Sequence, residues 1–171
     1  MPFLTQMEIG MKWILAAALA LSLSAQAQEP AHVKAVYGLL ESMQAEKLLR
    51  MKAGMARYAN EQQRAAVAAK VDKVAPQTIY TRLSVPVAQL VTAETAAEMT
   101  RFYKSPYGQK VVYAMYNSKA GPWGAKPQPS AAEKADMKRP AFIKAEKALA
   151  DAEAAIGREA FLLVQKLANG K

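Results

Sequence analysis

One segment of the sequence indicates how the helices are arranged: Phe102-Tyr103-Lys104-Ser105-Pro106-Tyr107-Gly108-Gln109-Lys110. Its residue pattern is typical of a helix that ends and is followed at once by another. Pro106 disfavours helical angles at Ser105, and serine is a residue type that caps a new helix with proline at its first position. Gly108 in the next turn would let another helix approach closely, while Phe102 and Tyr103 would anchor the bend in the core. The segment predicts two helices joined at a sharp bend.

Three helices are predicted before this segment. A 3.6-residue apolar period indicates a first helix after Pro30 that breaks near Gly54, with its apolar face formed by Val33, Val36, Tyr37, Leu40, Met43, Leu48, Met51 and Met55. Lys34, Glu41, Glu46 and Arg50 fall mostly off that face. Asn60 can cap a second helix that runs to about Val74. A third is expected over Thr78–Val91, with an apolar face of Ile79, Leu83, Val87 and Leu90, and Pro86 should kink or split it.

The fourth predicted helix has Thr92 as its N-cap, is interrupted at Ser105-Pro106 and resumes over Tyr107–Asn117. A Gly/Pro-rich loop covers 117–129. Ser130 and Glu133 form a capping box that opens a fifth helix, and Pro140 starts a long sixth helix that Asn169-Gly170 terminates. The prediction is therefore an all-α, single-domain, kinked bundle of about five or six helices, with kinks at Pro86, Ser105-Pro106 and Pro140.

Composition supports this fold class and excludes several kinds of chemistry. The 171 residues include 36 alanines, which favour helices over strands. The chain has no cysteine, which excludes disulfides, thiol nucleophiles and thiolate metal sites. His32 is its single histidine. A metal site built from several histidines is therefore excluded, and a Ser-His-Asp triad could use only this one residue. We expect no cofactor and no metal.

The N-terminal segment is typical of an export signal. Lys12 supplies a positive charge, Trp13–Leu23 an apolar stretch, and Ala25-Gln26-Ala27 a cleavage site. The residues before Met11 carry Glu8 and no basic residue, so translation is expected to start at Met11. Residues 1–27 are thus predicted to be a signal peptide, and 28–171 an exported domain of the periplasm or the cell exterior. No later apolar run is long enough to span a membrane.

The net charge of +9 is compatible with nucleic acid, an anionic envelope surface or a solvated helix surface. The basic residues are scattered, no nucleic-acid motif is present, and export argues against that partner. We therefore expect no nucleic acid and consider an envelope protein or an anionic envelope surface as partners.

The bend segment provides the candidate binding residues, which are Phe102, Tyr103, Lys104, Ser105, Pro106, Gly108 and Lys110. The N–H groups at the restarted helix, the Ser105 hydroxyl and the lysines, with Arg101 nearby, could hold a phosphate or carboxylate. A self-capped bend with solvated lysines explains the same residues and is the favoured interpretation.

Two further hypotheses have equally plain structural alternatives. Six methionines could line an apolar ligand groove or could instead fill the core. They are Met43, Met51, Met55, Met99, Met115 and Met137. Glu94 and Glu98 share a helix face, as a catalytic carboxylate pair would, but such pairs are usually solvated. His32 is expected to be exposed, and Trp123 either covers an end of the bundle or forms a recognition tip.

A degenerate repeat relates two segments at a constant offset of 38. Thr92-Ala93, Ala97-Glu98-Met99 and Arg101 match Ser130-Ala131, Ala135-Asp136-Met137 and Arg139. The shared cap, apolar position and charges suggest two related helix-kink-helix units.

With these surroundings, the bend segment resembles a family of secreted bacterial helical proteins described only as a domain of unknown function. The family signature is an N-cap Thr, an acidic turn and then F-Y-x-S-P-x-G-x-K. The resemblance covers Thr92 to about Met115 well and Ala31–Val91 by pattern; Thr95 and Ala96 depart from the usual residues. It implies an all-helical exported domain without established activity, and it supplies no catalytic residue.

The sequence thus indicates a non-catalytic binding or structural protein of the cell envelope. The alternative is a chaperone-like protein or a carrier of apolar ligands in the periplasm, and a hydrolase is the third hypothesis. An exposed cleft rich in methionine would favour the carrier, whereas a flush, packed surface would favour the structural protein.

We predict that the mature chain begins near Gln28, because the apolar stretch and the Ala25-Gln26-Ala27 site place cleavage there. N-terminal sequencing of protein exported by its own host measures this. A mature chain that begins at Pro2 or Met11 would contradict the prediction.

Overall fold

The computed structural model describes residues 30–118 and 124–170, and within these ranges the chain is all-helical. The helices are α1 (30–42), α2 (Ala45–Met55), α3 (Glu61–Asp72), α4 (Pro76–Ala88), α5 (Ala93–Lys104), α6 (Pro106–Asn117), α7 (Ala131–Met137) and α8 (Pro140–Ala168). The all-α prediction is confirmed. The described ranges contain eight helices rather than five or six, because the predicted first and fourth helices are each divided in two.

The long helix α8 is the element against which most of the bundle packs. It contacts α2, α3, α4, α5 and α7. Its buried residues are Phe142, Ala145, Ala160, Leu163 and Val164, and the partly buried Leu149, Ala152, Ile156 and Leu167 pack on the same core. Pro140 starts the helix, and Gly170 follows it with a left-handed φ of 72°. The predicted start and terminator of this helix are confirmed.

The predicted first helix is interrupted by a left-handed residue, Gln44, with φ 52° and ψ 50°. Its N–H donates to the carbonyl of Glu41 (3.0 Å), and the Tyr116 hydroxyl donates to the carbonyl of Met43 (3.0 Å). A glutamine in this region of backbone space is unfavourable, so the surrounding contacts hold the break in place.

This break changes which face of α2 is buried. The buried residues of α2 are Ala45, Glu46, Leu49 and Ala53. Met55, predicted on the apolar face, is 61% exposed, whereas Glu46, predicted off that face, is 6% exposed. The prediction was wrong here because it carried one helical phase across a position where the helix stops and restarts.

The helices α3 and α4 follow the predicted order with shifted ends. The Asn60 side chain caps α3 by accepting from the Gln63 N–H at 2.8 Å. Pro76 begins α4, and Pro86 lies in its last turn, so the helix ends two residues later instead of splitting. Ile79, Leu83 and Val87 are buried as predicted, but Leu90 lies beyond the helix and is exposed.

The N-terminal leader and Trp123 lie outside the described residues, so their predictions stand as made. Across 30–118 and 124–170, no helix has both the length and the apolarity needed to cross a bilayer.

Phe142 is the largest of the side chains with under 2% exposure, and it lies one residue before Ile143, which is 53% exposed. We predict that Phe142→Ala lowers the free energy of unfolding by about 3–5 kcal/mol, because it empties a core site. Ile143→Ala should change it by less than about 0.5 kcal/mol. Chemical denaturation of both variants measures this; similar losses in the two would contradict the assignment of Phe142 to the core.

Candidate functional site

Ser105 ends α5 and caps α6 in a single residue, as the sequence predicts. Its N–H donates to the carbonyl of Phe102 (3.0 Å), and its Oγ accepts from the Gly108 N–H (3.0 Å). Pro106 occupies the first position of α6. The Gln109 side-chain amide donates to the carbonyl of Tyr103 (2.5 Å), so it satisfies one of the last carbonyls of α5.

Gly108 is required at the bend by the backbone of α5. A Cβ atom on this residue would lie 2.0 Å from the carbonyl oxygen of Phe102 and 2.7 Å from the Cα of Tyr103. No side chain fits in that space, and the two atoms belong to backbone that the helix itself holds. The close approach that the sequence predicts is therefore made by the last turn of the preceding helix.

Aromatic rings fix the bend in the core. The Phe102 ring lies 4.9 Å from Phe142, 5.1 Å from Tyr103 and 6.0 Å from Tyr107, measured between ring centroids. Burial, with Glu146 and Glu153 nearby, raises the pKa of Tyr103 to about 12. The buried Tyr107 donates its hydroxyl proton to the carbonyl of Pro127 (2.9 Å), which attaches the following loop to the bend.

The predicted binding residues thus divide into two groups. Phe102 and Gly108 are buried, and Tyr103 and Ser105 are partly buried within the bend. Lys104, Pro106 and Lys110 are exposed. The Gly108 N–H, which the anion-site hypothesis needs, already donates to Ser105. The geometry therefore gives the bend an architectural explanation.

A ring of four charges joins α5 to the end of α7 and to Arg139, which lies between α7 and α8. Arg101 binds Glu98 (3.0 Å) and Asp136 (2.8 Å). Arg139 binds Asp136 (2.7 Å) and also Glu98. Glu98 was expected to be solvated, but its side chain is only 16% exposed because both arginines cover it.

The positions that the sequence repeat equates meet in this ring. Glu98 corresponds to Asp136 and Arg101 to Arg139 at the offset of 38, and each acid binds the arginine of its own segment and of the other. Since α7 has no buried residue, these ion pairs and the capping box of Ser130 and Glu133 are its main polar supports. The Ser130 N–H and hydroxyl lower the pKa of Glu133.

Sequence reasoning missed a buried carboxylate in the core. Glu46 accepts a hydrogen bond of 2.5 Å from the Tyr80 hydroxyl, whose ring packs edge-on against Tyr37 at 5.6 Å. Burial and this hydrogen bond raise the pKa of Tyr80. Burial, with the charge of Glu46, raises the pKa of Tyr116 as well. A local signal for Glu46 was absent, since its burial follows from the break at Gln44.

The remaining predicted groups lie apart from one another. Glu94 is exposed, and its own backbone N–H followed by the Thr92 hydroxyl lowers its pKa. His32 was predicted to be exposed but is partly buried, with Nε2 2.7 Å from the carbonyl of Val91. Among residues 30–118 and 124–170, no three histidine or carboxylate side chains are grouped so that they could hold a metal ion.

Two open grooves mark the surface, one of them at the bend. One, of about 450 Å³, is lined by Pro106, Gln109, Lys110, Tyr113, Ala114 and Pro127. The other, of about 460 Å³, lies where α5 and α8 begin and is lined by Thr92, Glu94, Thr95, Ala97, Glu98, Arg101, Ala141, Lys144 and Ala145. Neither lining contains a methionine.

Comparison with known proteins finds no match: no protein-family model, no curated protein and no solved structure aligns significantly with this chain.

We predict that Gly108→Ala lowers the free energy of unfolding by about 1–3 kcal/mol, because the added methyl must displace the backbone of α5. Gly54→Ala is the matched control: it lies within α2 with no atom within 4 Å of the new Cβ, so it should raise stability by about 0.5–1 kcal/mol. Thermal or urea unfolding measures both, and a loss of equal size at Gly54 would remove the steric explanation.

Lys104→Ala and Lys110→Ala should leave stability within about 0.5 kcal/mol of the parent. If the bend is instead an anion site, phosphate should stabilise the parent strongly and neither lysine variant. Unfolding with and without phosphate separates these two outcomes.

We predict that Glu98→Gln lowers the free energy of unfolding by about 1–2 kcal/mol, because two arginines lose their shared charged acceptor. The control is Asp151→Asn, which breaks an exposed pair with Lys147 and should cost less than about 0.5 kcal/mol. The effect at Glu98 should shrink as salt is added, since the arginines are partly solvated. Equal effects at the two sites would show that the ring adds nothing beyond an ordinary surface pair.

Proposed function

We propose that this protein is a non-catalytic binding or structural protein of the bacterial cell envelope. The leader that precedes Gln28 would direct its export to that compartment. The leader sequence supports export, and the net charge of +9 suits an anionic surrounding. The motif residues support the proposal because those that are buried or capped, such as Phe102 and Gly108, serve the bend itself.

The residues that line the two grooves favour a binding or structural protein over a carrier of apolar ligands. A carrier of apolar ligands would be expected to line its cleft with flexible methionines. The two grooves contain none, and Met99 is buried in the core with 2% exposure. The carrier stays as the second candidate because Met55 projects 61% exposed from α2.

The test expresses the full-length chain in a bacterial host and measures its processing and its location in the cell. We expect a processed protein that stays with the cell envelope after osmotic shock at low salt and is released at high salt, because the attraction is electrostatic. Unprocessed protein that stays in the cytosol would overturn the proposal.

A second measurement on the processed protein addresses the carrier. Titration with a fluorescent apolar probe should give no saturable, stoichiometric binding to the folded chain. Tight binding of one probe per chain that is lost in Met55→Ala would contradict the proposal and support a carrier of apolar ligands.

A further inference from the structure

The outer face of α6 presents an exposed strip beside the loop that follows it. Pro106, Gln109, Lys110, Tyr113 and Ala114 have the spacing of one helix face, and Pro127 closes the groove on the loop side. Tyr113 is 70% exposed, the most exposed of the large hydrophobic side chains in the described ranges. The inner face of the same helix is buried through Tyr107, Val111 and Val112, whereas no helix of the part of the chain that the structure describes covers the outer strip.

The segment of sequence that contains the strip carries no acidic residue. From Met99 to Ala132 the sequence contains no aspartate or glutamate, whereas Lys104, Lys110 and Lys126 are exposed there. Glu98, the nearest acid along the chain, is paired with Arg101 and Arg139. Glu133 is close enough to Lys110 for the two charges to interact, and its carboxylate also accepts from the Ser130 N–H at 2.6 Å. Basic residues still outnumber this one acid from Met99 to Glu133, so the segment keeps a net positive charge.

We infer that this face of α6, which we call the α6 strip, binds the surface of a membrane that contains anionic phospholipids. The inference deepens the proposed envelope function and rests on it. Lys110, with Lys126 beside the groove, would neutralise lipid phosphates. The Tyr113 ring, apolar with a polar tip, suits the boundary between headgroups and acyl chains.

Two features of the molecule argue for a lipid surface over other occupants. A second copy of this chain would bring together two bodies of net charge +9, which repel each other. An acidic glycan would satisfy Lys110, but it offers no apolar layer to the strip formed by Pro106, Tyr113, Ala114 and Pro127. The arrangement of one exposed aromatic among cations fits shallow, peripheral binding.

The test is co-sedimentation of the processed protein with vesicles. Vesicles of phosphatidylcholine with about one third phosphatidylglycerol are compared with pure phosphatidylcholine, at salt of about 0.01 M and about 1 M. We expect binding only to the anionic vesicles and only at low salt. Lys110→Ala should weaken it about fivefold, which is the effect of one cation near an anionic surface. Tyr113→Ala should weaken it as well, because it removes the ring that lies at the headgroup level.

The matched controls are Lys166→Ala and Phe161→Ala, which remove an exposed cation and a partly exposed aromatic ring from the last turns of α8. They should bind like the parent, and circular dichroism checks that all four variants are folded. Equal weakening by the controls, or equal binding to neutral vesicles, would overturn the α6 strip as the docking site.

An acidic polysaccharide is added as a competitor in a separate arm. If the chain binds the polysaccharide and ignores the vesicles, the lipid inference is wrong. Salt-sensitive retention in the envelope would in that case still support the proposed function, so the two proposals fail separately.

Discussion

The contact between the backbone of Gly108 and the carbonyl of Phe102 is the constraint on which the geometry of this protein depends. The first turn of α6 lies against the last turn of α5, and no residue with a side chain fits between them. This contact turns the rings of Phe102 and Tyr107 toward a common core, where Phe102 meets Phe142 of α8. A short nine-residue motif therefore sets the relation between three helices.

The same bend holds the segment that follows α6. Tyr107 binds the carbonyl of Pro127, and the four-charge ring returns the end of α7 to α5. The carboxylates of Glu98, Asp136 and Glu133 are engaged by internal contacts, in the ring and in the cap of α7. The outer face of α6 carries Lys110 and Tyr113, and the helix contains no acidic residue.

Local signals in the sequence predicted the elements that are determined locally. Caps at Asn60, Thr92, Ser105 and Ser130 satisfy helix N–H groups within a few residues, and each forms as expected. The break at Gln44 lacks such a signal, because glutamine is an ordinary helix residue and the break depends on contacts such as Tyr116 with Met43.

The candidate site shows the same division between local and distant causes. The Ser105 cap and the need for Gly108 could be read from the motif, whereas the burial of Glu46 and the contact of His32 with Val91 depend on helices far apart in the chain. The charge ring depends on both local and distant causes. Its members stand out in the repeat, but only the packing of α5 on α8 brings them within reach of one another.

The place of α8 in the chain has a consequence for synthesis. It is the last described helix, yet α2, α3, α4, α5 and α7 all contact it. Translation delivers its partners first, and isolated helices of about a dozen residues are marginal in water. The growing chain therefore lacks the scaffold on which its core assembles until this 29-residue helix emerges. Among the described residues, the contacts that complete the core join segments far apart in the chain, and contacts of this kind slow folding.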